Sequence, residues 1–251
     1  MKKLCLMFAA AMAGVLSGCA GLGETLLPSD ITVEELQSRK DAATDPEGRF
    51  SKASTYVMHQ TVTDNSIFGN PAGKLIELKY KRPDKLKCTI SEDGKNLSGY
   101  IINGDSAWNI DYQSRKVSPI PPQHMVMIKT LTKLNTPATR YKDVFKNVEI
   151  FKVNDSDGSY YKLCCSNNPA NTFDIYIDTK SFLTSRMKTS FTLPTGVLKS
   201  DSIMKSYTLY EGIRIPDESV SVTGDDEQKQ KVIYYKLNVP LDDSEFKPPV
   251  L

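Results

Sequence analysis

From Lys52 onward, apolar side chains recur at every second position, and this period restricts the fold more than any other feature of the chain. Tyr56, Met58 and Val62 alternate with Thr55, His59 and Thr61. Ile76, Leu78 and Tyr80 alternate with Glu77, Lys79 and Lys81, and Leu86, Cys88 and Ile90 with Lys87 and Thr89. Trp108, Ile110 and Tyr112 alternate with Asn109 and Asp111. Successive side chains of a strand point to opposite faces, so this pattern buries one set and leaves the other wetter, as in an antiparallel sheet. Turn sequences separate the runs: Asn70-Pro71-Ala72-Gly73, Glu92-Asp93-Gly94 and Asn103-Gly104-Asp105. No helix of crossover length lies between these strands, so a meander of hairpins is expected rather than βαβ units.

Two regions break the period. Thr32-Val33-Glu34-Glu35 has the form of a capping box, in which the Thr hydroxyl accepts from the Glu35 amide and the Glu35 side chain reaches back. Val33, Leu36, Lys40 and Ala43 then share roughly one face, which predicts a short helix ending before Pro46. Within residues 121–147, Met125, Ile128, Leu131 and Leu134 are spaced for one helical face, and Pro137 stops that helix. Tyr141, Val144, Phe145 and Val148 predict a second short helix. Alternation then resumes near 148–153, 159–165, 173–178, 183–192, 203–210, 213–215 and 231–239, and Phe246-Lys247-Pro248-Pro249 ends the chain in an extended tail. The reading gives about eleven strands with helices at the start and near the middle, a mainly β (α+β) chain in one domain. A sheet of this length must close or be capped. The helix carrying Met125, Met127, Ile128, Leu131 and Leu134 can cap it. Its flexible methionines suit a cavity for variable chains, and equally an ordinary core.

The amino terminus carries an address. Met1-Lys2-Lys3, an uncharged apolar run from Leu4 to Leu16 and small residues before Cys19 are the three parts of a secretory signal. The apolar run falls short of the roughly 20 residues that span a bilayer. Leu16-Ser17-Gly18-Cys19 resembles the bacterial lipobox, which implies cleavage before Cys19 and a diacyl anchor on it, palmitate being the expected chain. Two or more acyl chains hold a protein stably at a membrane, where one does not. By resemblance to diderm sorting rules, Ala20 after the cysteine implies the outer membrane, with the domain facing the periplasm. The expected organisation is a signal peptide at 1–18, a lipidated tether at 19–30 and one β domain at 31–251. Removing residues 1–18 takes Lys2 and Lys3 away and leaves 30 basic against 30 acidic side chains. A neutral chain lacks the footprint of a nucleic-acid binder.

Catalytic patterns are not apparent in the sequence. His59 and His124 stand in neither an HExxH nor an HxH spacing, and GxGxxG, Walker and GxSxG motifs do not occur. Asp225-Asp226 and Asp242-Asp243 sit in turn-like surroundings rather than across a cleft. No enzyme activity, metal or cofactor is therefore expected. Beyond Cys5 and Cys19 the chain holds Cys88, Cys164 and Cys165. Adjacent residues of a strand face opposite ways, so Cys88 can bond to at most one of the pair; three unpaired thiols are the alternative. In Ser66-Ile67-Phe68-Gly69, two large apolar residues occupy an expected hairpin tip, where Ile67 and Phe68 either meet a membrane or partner or fold back onto the sheet.

This order of elements resembles the outer-membrane lipoprotein carrier and receptor (LolA/LolB-like) superfamily. Local phrases resemble it too: Lys81-Arg82-Pro83-Asp84-Lys85 after a strand, Asn103-Gly104-Asp105-Ser106-Ala107-Trp108 in a hairpin, and Ile175-Tyr176-Ile177-Asp178 entering a turn. The resemblance covers roughly residues 31–247 and includes no catalytic signature. It implies a strongly curved, half-open antiparallel β-barrel capped by short helices, whose apolar concave face takes acyl chains of lipids or lipoproteins. With a lipidated Cys19, the chain falls on the receptor-like side, and an exposed Ile67 and Phe68 would resemble the projecting apolar loop of that branch. The implied acyl-binding residues are Met125, Ile128, Leu131 and Leu134 of the helix, with Ile76, Leu78, Trp108 and Ile110 of the sheet. A monomer is expected. The competing reading is a non-catalytic envelope scaffold or stress-sensor domain that contacts another protein.

Overall fold

The alternation resolves into one antiparallel sheet of fourteen strands that does not close. The computed structural model describes residues 24–64, 73–134, 136, 139–156, 158–193 and 196–251. A short strand β1 (Leu27–Pro28) precedes helices α1 (Val33–Thr44) and α2 (Arg49–Lys52). Six strands follow as a meander: β2 (Thr55–Asp64), β3 (Lys74–Lys81), β4 (Lys85–Glu92), β5 (Lys95–Asn103), β6 (Ser106–Asp111) and β7 (Lys116–Pro119). Helices α3 (Pro122–Leu134) and α4 (Tyr141–Val144) interrupt the sheet. The second meander is β8 (Asn147–Asn154), β9 (Ser159–Asn168), β10 (Asn171–Asp178), β11 (Thr184–Leu193), β12 (Gly196–Tyr210), β13 (Ile213–Thr223) and β14 (Asp226–Leu237). The two join where β14 pairs with β2, leaving β1 and β7 as the edges.

Fourteen strands replace the expected eleven or so because β1, β5 and β7 lack a visible period. The reason is clearest in β5, whose consecutive Ile101 and Ile102 are both 1 % exposed. Ile102 packs inward against Leu86 and Ile128, while Ile101 packs outward against Phe246. A strand buried on both faces shows no alternation.

The cap of α1 forms in half. Thr32 Oγ1 accepts from the Glu35 amide at 3.1 Å, but the Glu35 carboxylate pairs with Arg39 instead of reaching back. The helix buries Leu36, Gln37, Lys40 and Thr44 against the sheet. Helix α3 does not present the single face expected of it. Steps of three residues turn a helix by about 300°, so the stripe drifts roughly 60° at each step. Met125 and Ile128 therefore meet Leu86, Ile102, Ala107 and Ile120 of the first meander, whereas Met127, Leu131 and Leu134 meet the cluster of Leu163, Phe173 and Ile175 in the second. α3 thus bridges the two walls of the open sheet.

The first and last described segments both pack on the outer side of the sheet. β1 pairs with β8, and Glu24 crosses to the outer side of β9–β11. A 3-10 turn at Asp243–Phe246 leads into the carboxyl-terminal tail, whose first residue, Lys247, is extended. Asp243 accepts from Lys81 at 2.7 Å and Lys85 at 2.8 Å, and Glu245 from Lys79 at 2.7 Å. Phe246, fully buried, packs among Ile101, Ile110 and Trp108. Burial of one such ring stabilises by roughly 1.5–3 kcal/mol.

Candidate functional site

The concave face under α1 and α3 is where the sheet concentrates its apolar surface. Directly opposed residues of an antiparallel pair share a face, so the strand register assigns each side chain to the concave or convex side. Ile76 and Leu78 of β3 point to the concave side: Ile76 packs with Val62, Cys88 and Ile90, and Leu78 touches that group and the one beneath Ile128. Met125, Ile128, Leu131 and Leu134 cover the same face from above. Six of the eight expected acyl-binding residues therefore share one interior.

Trp108 and Ile110 do not join them. Both lie on the convex side of β6, in the cluster around Phe246, and they hold the carboxyl-terminal strap. The inward residue of that strand is Ala107, which is 7 % exposed against Ile120 and Ile128. The alternation of β6 identified the set correctly but not its direction, because the tail makes the outer face apolar as well. Ile67, Phe68, Cys19 and the segment 1–18 lie outside the described residues, as does Pro137.

A polar band divides the concave face. Across β11 to β14, Met187 stands opposite Ser202, Ser202 opposite Ser221, and Ser221 opposite Gln228. A second row runs from Met204 through Ser219 and Gln230 to Val62. The hydroxyls of Ser202 and Ser221 are 2.8 Å apart. Two apolar lobes, one around Phe173 and one around Ile76, thus flank a strip of hydroxyl and amide groups.

Beneath α1 and the end of α3, a cavity of about 60 Å³ is lined by Lys40, Leu134, Ile175, Met187, Met204 and Arg214, among others. It has room for a few waters, not for an acyl chain. Lys40 is 6 % exposed, with its ammonium 5.8 Å from the centre of the Tyr141 ring, and burial pulls its pKa down. A wider cleft of about 420 Å³ lies between α1 and α4, where Glu34 pairs with Lys142. At its side Asp41 accepts from Gln37 at 2.8 Å, and burial raises its carboxyl pKa.

The strongest charge cluster is on the convex side. Lys162 of β9, with no exposed side-chain surface, lies 2.9 Å from both Glu24 and Asp174. Glu24 also accepts from Lys188 at 3.0 Å and from the Tyr176 hydroxyl at 2.8 Å. Burial works to raise the Glu24 pKa, but the hydrogen bonds from Lys162, Tyr176 and Lys188 outweigh it and hold the carboxyl at about 2. Burial likewise opposes the charge on Lys162, and its bonds to Glu24 and Asp174 raise its pKa above the ordinary value regardless. Sequence spacing could not have found this cluster, because Glu24 lies in the polar tether and its partners lie more than a hundred positions later.

Cys88, Cys164 and Cys165 are all buried, and a bond from Cys88 to one of the pair, one of the two readings left open by the sequence, is not formed. Seven strands separate β4 from β9 in the sheet, and Cys88 and Cys165 belong to different clusters. Burial pushes the Cys88 thiol up to about 12. His59 lies on the convex side, with Nε2 3.1 Å from Glu77 and its ring stacked on Tyr234. Among the described residues no group of three or more His, Cys, Asp or Glu side chains is arranged to hold a metal ion. No described helix is long and apolar enough to cross a membrane.

No family model and no curated protein matches the sequence. Solved structures do match the fold. A LolA superfamily protein from Nitrosomonas europaea superposes with a TM-score of 0.58 at 10 % identity, over 87 % of this chain and 98 % of that one. The chain has a LolA-like fold. A DUF1329 family protein from Desulfovibrio piger gives a TM-score of 0.57 at 10 % identity, over 86 % of this chain and 97 % of the other. A domain assigned to outer membrane lipoprotein sorting, from Vibrio parahaemolyticus, gives 0.55 at 10 % identity, also over 86 % and 97 %. This LolA-like sheet is open, with α3 rather than further strands spanning the gap between its walls.

Proposed function

We propose that this chain is an outer-membrane lipoprotein, anchored through lipid on Cys19 and facing the periplasm, that binds acyl chains of lipids or lipoproteins under α3 without catalysing a reaction. The observation that carries this reading is the placement of α3. One helix contributes Met125 and Ile128 to one wall and Met127, Leu131 and Leu134 to the other, so lifting it uncovers both apolar lobes together. The LolA-like fold of a lipoprotein-sorting domain supports the same reading. The pocket beneath α1 and the end of α3, about 60 Å³, is too small for an acyl chain. A chain enters by displacing α3, whose ties among the described residues include a hydrogen bond from Lys129 to the Gly104 carbonyl at 2.6 Å and a 3.6 Å pairing with Asp105. Ile67 and Phe68 would act at the membrane or at a cargo protein; replacing both with Ser should leave the fold intact and stop transfer.

Two experiments test the reading. Labelled palmitate should enter the full chain in a diderm host and should not enter the Cys19→Ser variant; label in both would remove the anchor. Native mass spectrometry with lipid extraction, on residues 20–251 purified from a periplasm, should show co-purifying phospholipid or acyl species. A clean protein that also refuses added lipopeptide would shift the function to a protein-contacting scaffold.

A further inference from the structure

The amino-terminal strap has a direction across the sheet. Leu27 and Pro28 of β1 pair with Lys152 and Phe151 of β8. Followed back toward the start of the chain, the strap crosses the outer side of the sheet, and the Glu24 carboxylate meets Lys162 of β9, Tyr176 of β10 and Lys188 of β11. Its heading at Glu24 is toward β12 and β13. Five residue steps separate Glu24 from Cys19 in the sequence. They span at most about 18 Å, or three to four strand spacings of about 4.8 Å. A lipid on Cys19 is therefore held close to the outer face of β12 and β13, whereas α1 and α3 cover the opposite face.

That outer face changes character beyond the Glu24 cluster. Around Glu24 the charges are matched, Lys162 with Asp174 and Arg186 with Asp201. One strand further on, Asp201 stands opposite Val222, which in turn faces Glu227 of β14. Val222 is 39 % exposed, and Val197, on the same face of β12, is 58 % exposed. Lys199 lies exposed between Val197 and Asp201, and Lys229 of β14 lies exposed opposite Val220. A single exposed valine is ordinary on a protein surface. Two of them, interleaved with lysines and within reach of a lipid anchor, match the boundary of a bilayer: valines enter it, and lysine stems lie along it with their charges in water. Glu227 stands 3.6 Å from Lys229 and Glu218 2.8 Å from Lys231, so the strip is not strongly cationic.

We propose that the outer face of β12–β14 rests on the bilayer that holds the Cys19 anchor, with Val197 and Val222 as its apolar contacts and α3 turned away from that bilayer. The inference rests on the lipid-anchored reading of Cys19 and adds an orientation to it. Two valines and a nearly balanced set of charges are too small a surface to hold a protein at a membrane alone. The docked Glu24 and the short tether supply the rest, by keeping this face against the bilayer.

The test uses the full lipidated chain, extracted from a diderm host and reconstituted in vesicles of phosphatidylethanolamine and phosphatidylglycerol. A fluorophore is placed on a cysteine introduced at an exposed position, since Cys88, Cys164 and Cys165 are buried. Val197→Cys and Val222→Cys report on the outer face, and Ser38→Cys on α1 and Val126→Cys on α3 report on the helical side. Nitroxide carried on the lipid headgroups should quench the label at 197 and 222 several-fold more than at 38 and 126. Inserting about a dozen Gly and Ser residues after Ala20 lengthens the reach and should bring the four positions to one level while the protein stays on the vesicles. Equal quenching at all four positions with the native tether, or stronger quenching on the helical side, would overturn the orientation and leave the anchor standing. A contrast unchanged by the insertion would overturn the short tether as its cause. Chain that washes off the vesicles would overturn the anchored reading of Cys19, and this inference with it.

Discussion

Replacing Lys162 by Met tests whether the amino-terminal strap is part of the folded domain. The Lys162 side chain has no exposed surface and stands 2.9 Å from Glu24 on one side and 2.9 Å from Asp174 on the other. Its ammonium also lies 5.2 Å from the centre of the Tyr176 ring. Removing the cation leaves two carboxylates facing each other at the edge of a dry site. Breaking a buried pair in this way costs about 3–5 kcal/mol, more than the pair itself contributes, because the remaining charge stays desolvated. Adding Asp174→Asn removes one of the two carboxylates, and Glu24 keeps Lys188 at 3.0 Å and the Tyr176 hydroxyl. The double variant should therefore recover about 1–3 kcal/mol relative to Lys162→Met alone. Urea unfolding of residues 20–251 measures both, with the slope unchanged if the denatured state is unaffected. A loss below about 1 kcal/mol in the single variant, or a double variant less stable than the single, would refute the reasoning.

Three further outcomes follow from the same structure. Phe246→Ala should destabilise by about 3–5 kcal/mol through the cavity left against Ile101 and Ile110, read by calorimetry; a change under about 1 kcal/mol would mean the tail is not docked. The Glu24 carboxyl is held at about 2 against an ordinary 4.5, so its contribution is complete above about pH 4.5 and is lost as pH falls toward 2. After solvent screening this amounts to about 1–2 kcal/mol, and Glu24→Gln should flatten the slope in that window; parallel curves for wild type and variant would count against the latch. Buried Cys88, Cys164 and Cys165 should react with a thiol reagent only after unfolding, and then all three should be titrated; a value of one would restore the disulfide.

The mainly β class, the capped α1 and the position of α3 were legible because each depends on local periods and caps. Thr32 caps as its spacing implied, and Met125 to Leu134 form one helix. What escaped reading depends on contacts between distant positions. Nothing near Trp108 or Ile110 announces that Phe246 returns to cover them, so an apolar alternation pointed to the right residues and the wrong face. β5 was hidden because both its faces are buried. Lys40 is the intermediate case: its place on the apolar stripe with Leu36 was visible in the sequence, but its burial beside the Tyr141 ring required the fold.

The central claim, that an apolar interior opens under α3 to take an acyl chain, is tested most directly by calorimetric titration of residues 20–251 with a diacylated lipopeptide at several temperatures. Burial of apolar surface gives a negative heat-capacity change, the most robust marker of this mode of binding. The account predicts saturable one-to-one binding with that negative change, weakened when α3 is made more polar by Ile128→Asn. Absence of saturable binding, or binding with a heat-capacity change near zero, would contradict it.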